Sequence, residues 1–126
     1  YADVRNHLST RKMRERMGTE LFFWHGYTSI FLDGGWVKAT PAFNLELCHK
    51  FRLQPLDFNG KEDSLYHPFD LEGRRPMEDV HERGEFAEPP IDRIRKTFRR
   101  EYPNWQISGQ DIAEDFESDV AIETAN

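Results

Sequence analysis

The sequence predicts an α+β domain in which a short antiparallel β-sheet packs with helices. Three observations carry this: an alternating run over Glu20–Leu32 that ends in a Gly-containing turn, two segments with apolar residues at helical spacing, and enough large apolar side chains for one core. Leu, Ile, Val and Phe supply 29 of the 126 residues and charged residues 32%. That apolar share lies above the roughly 20% at which disorder becomes the default. A chain of this length buries about two thirds of its unfolded surface, so one core is expected.

Tyr1–Leu8 reads as a strand. Ser9 or Thr10 caps a short basic helix, Arg11–Met17, closed by Gly18. In Glu20–Leu32 the residues Leu21, Phe23, His25, Tyr27, Ser29 and Phe31 share one face, and Phe22, Trp24, Gly26, Thr28, Ile30 and Leu32 the other. Both faces are largely apolar, which predicts a central strand covered on two sides. Asp33-Gly34-Gly35 is a hairpin turn, and Trp36–Thr40 returns as the partner strand. Phe43, Leu47 and Phe51 then mark an amphipathic helix over Ala42–Phe51, with Thr40 and Pro41 suited to its N-cap and first position.

Between Arg52 and Pro90 the apolar residues fall into short pieces among prolines and glycines, which predicts loops, a short strand near Leu53–Phe58 and a strand or turn at Met77–His81. Ile91, Ile94, Phe98 and Tyr102 follow helical spacing after Pro89-Pro90. Ser108 with Asp111 resembles a capping box ahead of Ile112, Phe116 and Val120. The domain therefore spans 1–108, and 109–126 is an acidic tail, either disordered or a short docking helix.

The net charge of −6 is concentrated in that tail, which holds six acids and no base and leaves 17 acids against 17 bases in residues 1–108. A neutral body with an acidic tail argues against nucleic-acid binding. The basic cluster at 11–17 is a solvated helix face or, failing that, a phosphate site. No window approaches 18 apolar residues, so no membrane span is expected, and the N-terminus shows no charged-then-apolar signal. Cys48 is the single cysteine, which excludes an intramolecular disulfide and any zinc site built on several thiolates, and fits a reducing, cytoplasmic setting. The chain starts without Met, as a processed protein or a piece of a longer one would.

His25 is the leading chemical candidate. An imidazole in a part-buried strand needs its nitrogens bonded and has a pKa suited to general-base work; the alternative is a satisfied core histidine. If Asp33-Gly34 form a two-residue loop, Leu32 pairs with Gly35 and Thr40 falls diagonally from His25, roughly 7 Å away. Thr40 is then a candidate orienting group, with Asn44, one turn further on, as the alternative. Cys48 lies mid-helix on an apolar face, where a thiol gains little from the helix dipole, and reads as structural. A metal site from His7, His25, His49, His67, Asp70 and His81 lacks converging pairs, and no glycine run suits a nucleotide, so neither metal nor cofactor is expected.

The run His25-Gly26-Tyr27-Thr28-Ser29-Ile30-Phe31-Leu32-Asp33-Gly34-Gly35-Trp36-Val37-Lys38-Ala39-Thr40-Pro41 resembles the histidine-to-aspartate hairpin of transglutaminase-like proteins, a superfamily that includes bacterial cysteine-protease-like members. The resemblance implies the partial core of a papain-like fold and a thiol enzyme acting on a protein or peptide substrate. In that chemistry a cysteine attacks a carbonyl, the histidine takes its proton and an acid orients the ring. This sequence departs from the pattern twice: no Cys precedes His25, and Thr40 stands where the family has aspartate. The expected function is therefore part of a thiol-dependent acyl transferase or peptidase, inactive alone. The competing expectation is a non-catalytic interaction domain of the same fold that self-associates through its exposed apolar surface.

Overall fold

Val4 sits at the centre of the first sheet and is fully buried, which makes the strand around it the natural starting point. The structure, a computed structural model, describes residues 1–65, 71–74, 77–105 and 116–125. Strand β1 (Ala2–Asn6) runs antiparallel to β2 (Leu21–His25) on one side and to a later strand, Met77–Glu82, on the other. Ala2, Val4 and Asn6 are buried on one face, as period-two geometry requires, and Asp3 between the first two is buried as well.

Helix α1 (Arg11–Met17) forms as the sequence indicates. Thr10 Oγ1 accepts from Met13 N at 3.1 Å, and Gly18, in the left-handed region at φ 72°, donates its N–H to Arg14 O. Arg14 and Arg16 lie in the last turn, where cations oppose the negative end of the helix dipole.

The segment Glu20–Leu32 departs from expectation. It is two strands in two sheets, β2 in the first and β3 (Thr28–Leu32) in a hairpin with β4 (Gly35–Ala39). Among the described residues no ribbon covered on both faces forms, and β2 is an outer strand of its sheet. The physical reason lies at Trp24, whose φ of 59° is left-handed, a conformation that costs a bulky residue about 1–2 kcal/mol. Ala2 pairs with His25 and Val4 with Phe22, so β2 bulges by one residue opposite Asp3. The Asp3 carboxylate accepts from Trp24 N at 3.0 Å and holds the bulge in place. Alternation across Gly26 is lost there, because a residue added to one strand moves all later side chains to the other face.

The hairpin itself has the expected register, Leu32 opposite Gly35 and Ile30 opposite Val37 around Asp33-Gly34. Beyond it, Ser64 and not the 53–58 stretch extends the ladder: Ser64 N donates to Lys38 O, and Thr40 N to Ser64 O. Among the described residues no strand occurs at Leu53–Phe58.

Helix α2 (Leu45–Lys50) starts later than Ala42 because Asn44 caps it, its Oδ1 accepting from Leu47 N at 2.8 Å. Thr40 and Pro41 therefore do not open the helix. Strand β5 (Met77–Glu82) closes the far edge of β1. Helix α3 (Ile91–Glu101) lies against β2, and the Tyr102 hydroxyl that follows it receives Phe23 N and donates to Leu21 O. One side chain thus occupies backbone groups that an outer strand otherwise exposes.

Helix α4 (Phe116–Thr124) packs on α2, and its Val120 is fully buried. The proposed cap at Ser108 and Asp111 lies outside the described residues. No described helix is long and apolar enough to cross a membrane.

Candidate functional site

His25 ends β2, half-buried, beside the bulge. Ala2 is its partner across one ladder, and Val4, two residues on along the same face of β1, pairs with Asp79 of β5. Register therefore puts the imidazole and the Asp79 carboxylate on one face of the sheet, flanking Ala2 and Val4. Burial lowers the His25 pKa below its usual 6.5, and the Asp79 charge works in the opposite direction. The net result is an imidazole that is largely neutral at pH 7, the protonation state a base requires.

Asp79 was not among the residues the sequence singled out. A strand near Met77–His81 was foreseen, but its pairing with a segment more than 70 positions earlier leaves no local trace.

The two orienting candidates lie elsewhere. Thr40 Oγ1 is buried and has no hydrogen-bond partner among the described residues, His25 included. Its side chain belongs to the end of the hairpin, and the break at Gly26 removes the diagonal relation that a continuous strand would have given. Asn44 is committed at both ends of its amide: Oδ1 caps α2, and Nδ2 donates to Glu117 Oε1 at 3.0 Å.

Cys48 is 1% exposed, its Sγ directed at Phe43 O, and burial raises its pKa. A thiol in that setting stays protonated and inert. His7 lies 3.9 Å from Glu20, His81 is exposed on β5 opposite Asp3, and His67 and Asp70 fall outside the described residues. Among the described residues no group of three metal-ligating side chains gathers.

Around His25 the strands are fixed by a buried polar knot. Asp3, 4% exposed, receives a two-pronged Arg83 at 2.8–3.0 Å as well as Trp24 N. The Arg83 guanidinium lies 4.7 Å from the Trp24 ring centroid, with Arg93 at 5.4 Å. Trp24 Nε1 donates to Thr97 Oγ1, so α3 is tied to the same residue. The Tyr1 ring packs edge-on against Trp24 and fills the space next to Gly26, where a Cβ would stand 3.3 Å from Tyr1 Cε1.

Two residues after His25, Tyr27 donates its hydroxyl to Glu82 Oε1 at 2.9 Å. Its pKa is pushed up to about 12, first by burial and then by Glu82, with Asp79 and Glu85 adding to the effect. Tyr27 also lines an open cleft with Tyr1, Ser29, Trp36, Glu85 and Phe86.

The basic cluster of α1 is answered from within the chain. Glu123 of α4 accepts from Arg11 N at 2.7 Å and Lys12 N at 3.2 Å, and Asp119 pairs with Lys12 Nζ. The acids of the tail thus occupy the first turn of α1, where a phosphate would meet the helix N-terminus.

Compared with protein-family models, curated proteins and solved structures, the chain finds no match.

Proposed function

We propose that this chain carries the base half of a thiol-dependent acyl-transfer site of transglutaminase-like type, with His25 as general base. The observation that carries the reading is a half-buried imidazole, kept neutral by burial, sharing a sheet face with the Asp79 carboxylate. Asp79 takes the biasing role that the hairpin position of Thr40 does not fill. The buried state of Cys48 supports a nucleophile drawn from a segment other than α2.

In the reaction the thiol proton passes to the imidazole as sulfur attacks the carbonyl carbon of a protein or peptide substrate. The C–N bond then breaks, and the imidazolium returns its proton to the departing amine. Water or a second amine releases the acyl group from sulfur.

Residues 1–126 alone are expected to hydrolyse neither esters nor peptide amides. The same chain supplied with a cysteine-bearing helix ahead of β1 is expected to do so, with loss on alkylation and a drop of about 100-fold or more in His25→Ala at unchanged circular dichroism. Activity in residues 1–126 that vanishes in His25→Ala refutes the divided site. Activity of the longer chain that survives His25→Ala refutes the role of the imidazole.

A non-catalytic, self-associating domain is the second reading, favoured by the exposed aromatic side chains of the hairpin, Phe31 and Trp36. Light scattering separates the two: a dimer dispersed by Trp36→Ser supports association, and a monomer at all concentrations opposes it.

A further inference from the structure

We infer that the cleft between β3 and the 85–89 segment binds an extended peptide by seating a lysine or arginine side chain against Trp36 and Glu85. The inference stands whether or not His25 is catalytic.

The cleft has a volume of about 550 Å³, within the range of roughly 300–1,000 Å³ typical of ligand sites. Its walls carry four aromatic rings, Tyr1, Tyr27, Trp36 and Phe86, and Glu85 is the charged residue among the lining groups. An aromatic face attracts a cation through its quadrupole, and indole does so best.

The protein already uses its neighbouring rings this way. Arg93 lies 5.5 Å from the Phe86 centroid, Lys38 5.6 Å from that of Tyr27, and Arg83 4.7 Å from that of Trp24. Among the described residues no cation is seated on Trp36, which is 70% exposed. Its indole is nevertheless braced, since the Phe31 ring lies 5.4 Å away at a tilt.

The charges point the same way. Glu82 and Glu85 stand at Tyr27, with Asp79 near enough to act on it, while the cations nearby are engaged: Lys38 and Arg93 lie over Tyr27 and Phe86, Arg83 over Trp24, and the Tyr1 ammonium donates to Gly84 O. Glu85 lines the same cleft as Trp36, and among the described residues it has no ion-pair partner that a cation entering the cleft would displace.

An extended chain fits better than a lone amine. Thr28 and Ser29 of β3 form one wall, and among the described residues β3 has a strand partner on one edge only. The main-chain groups of the opposite edge suit strand addition, a mode in which backbone bonds supply affinity and a side-chain seat supplies selectivity.

The test is calorimetric titration of the full chain with an acetylated, amidated Ala-Ala-Arg-Ala-Ala peptide. Control arms are the same peptide with citrulline in place of arginine, and tetramethylammonium chloride. The arginine peptide is expected to bind with Kd below about 1 mM, and the citrulline peptide about fivefold more weakly. Trp36→Ala and Glu85→Gln are each expected to weaken the arginine peptide by a similar factor, and Trp36→Phe less, since a ring face remains. Both residues are exposed, so the fold tolerates the changes. Absent binding at millimolar peptide, equal binding of the citrulline peptide, or indifference to both Trp36→Ala and Glu85→Gln overturns the inference. Tetramethylammonium binding as tightly as the arginine peptide overturns the assignment to a peptide.

Discussion

Replacing Asp3 with alanine tests the centre of the fold. The carboxylate serves two partners at once, the Arg83 fork and the Trp24 backbone N–H at the bulge, and it does so 4% exposed. Removing one member of a buried ion pair costs about 3–5 kcal/mol, because the other charge stays behind without compensation. Arg83 keeps 17% of its side-chain surface in water, which places the loss at the low end. The orphaned N–H adds about 1 kcal/mol, so the total is about 4 kcal/mol. With a urea slope of about 2 kcal/mol per molar, the midpoint is expected to fall by about 2 M. Asp3→Asn keeps an acceptor for Trp24 and is expected to lose about half as much. The double variant Asp3→Ala/Arg83→Ala should be more stable than the sum of the single effects by at least about 1 kcal/mol, since no buried charge remains. A midpoint shift under about 0.5 M for Asp3→Ala, or strict additivity in the double variant, refutes the reasoning.

Three further outcomes are expected. The folded pKa of His25 lies below its unfolded value, so the unfolded chain takes up the proton first, and stability should fall as pH drops below 6.5 until the folded value is passed; urea midpoints from pH 7.5 to 4.5 should show this slope reduced in His25→Gln. Cys48 should resist a thiol reagent at pH 7 and react at the rate of global unfolding, as stopped-flow absorbance with added urea would reveal; fast reaction in buffer contradicts its burial. Glu123→Gln should destabilise the chain in low salt and much less in 1 M NaCl, because the carboxylate caps the α1 N-terminus from outside the helix; a salt-independent effect would mean that packing, not charge, joins α4 to α1.

Local physics made much of the fold legible. Thr10 and Gly18 bound α1 because cap chemistry is set by the residues themselves, and Asp33-Gly34 fixed the hairpin register because a two-residue turn leaves little choice. The mixed α+β content and the helix after Pro90 followed from periodicity. Two features were beyond the reach of pattern. The break at Trp24 depends on Asp3, which lies 21 positions away and accepts its N–H, while Trp24, Gly26 and Tyr27 in sequence merely continue an alternating run. The Asp79 carboxylate reaches the His25 face through β1, and neither β1 nor β5 announces the other.

Read along the chain, the basic run at 11–17 and the acids after 109 are separate facts, a helix face and an acidic tail. In space they are one interface: Glu123 sits at the positive end of the α1 dipole, Asp119 holds Lys12, and Glu117 meets the amide of the residue that caps α2. Each contact is partly exposed and worth little alone. What makes them add is Val120, fully buried beneath them, whose apolar surface supplies the affinity while the carboxylates supply the register. The tail is thus held by a hydrophobic anchor with electrostatic guides, and weakening the anchor by Val120→Ala should loosen α4 at every salt concentration, in contrast to the salt-dependent loss at Glu123.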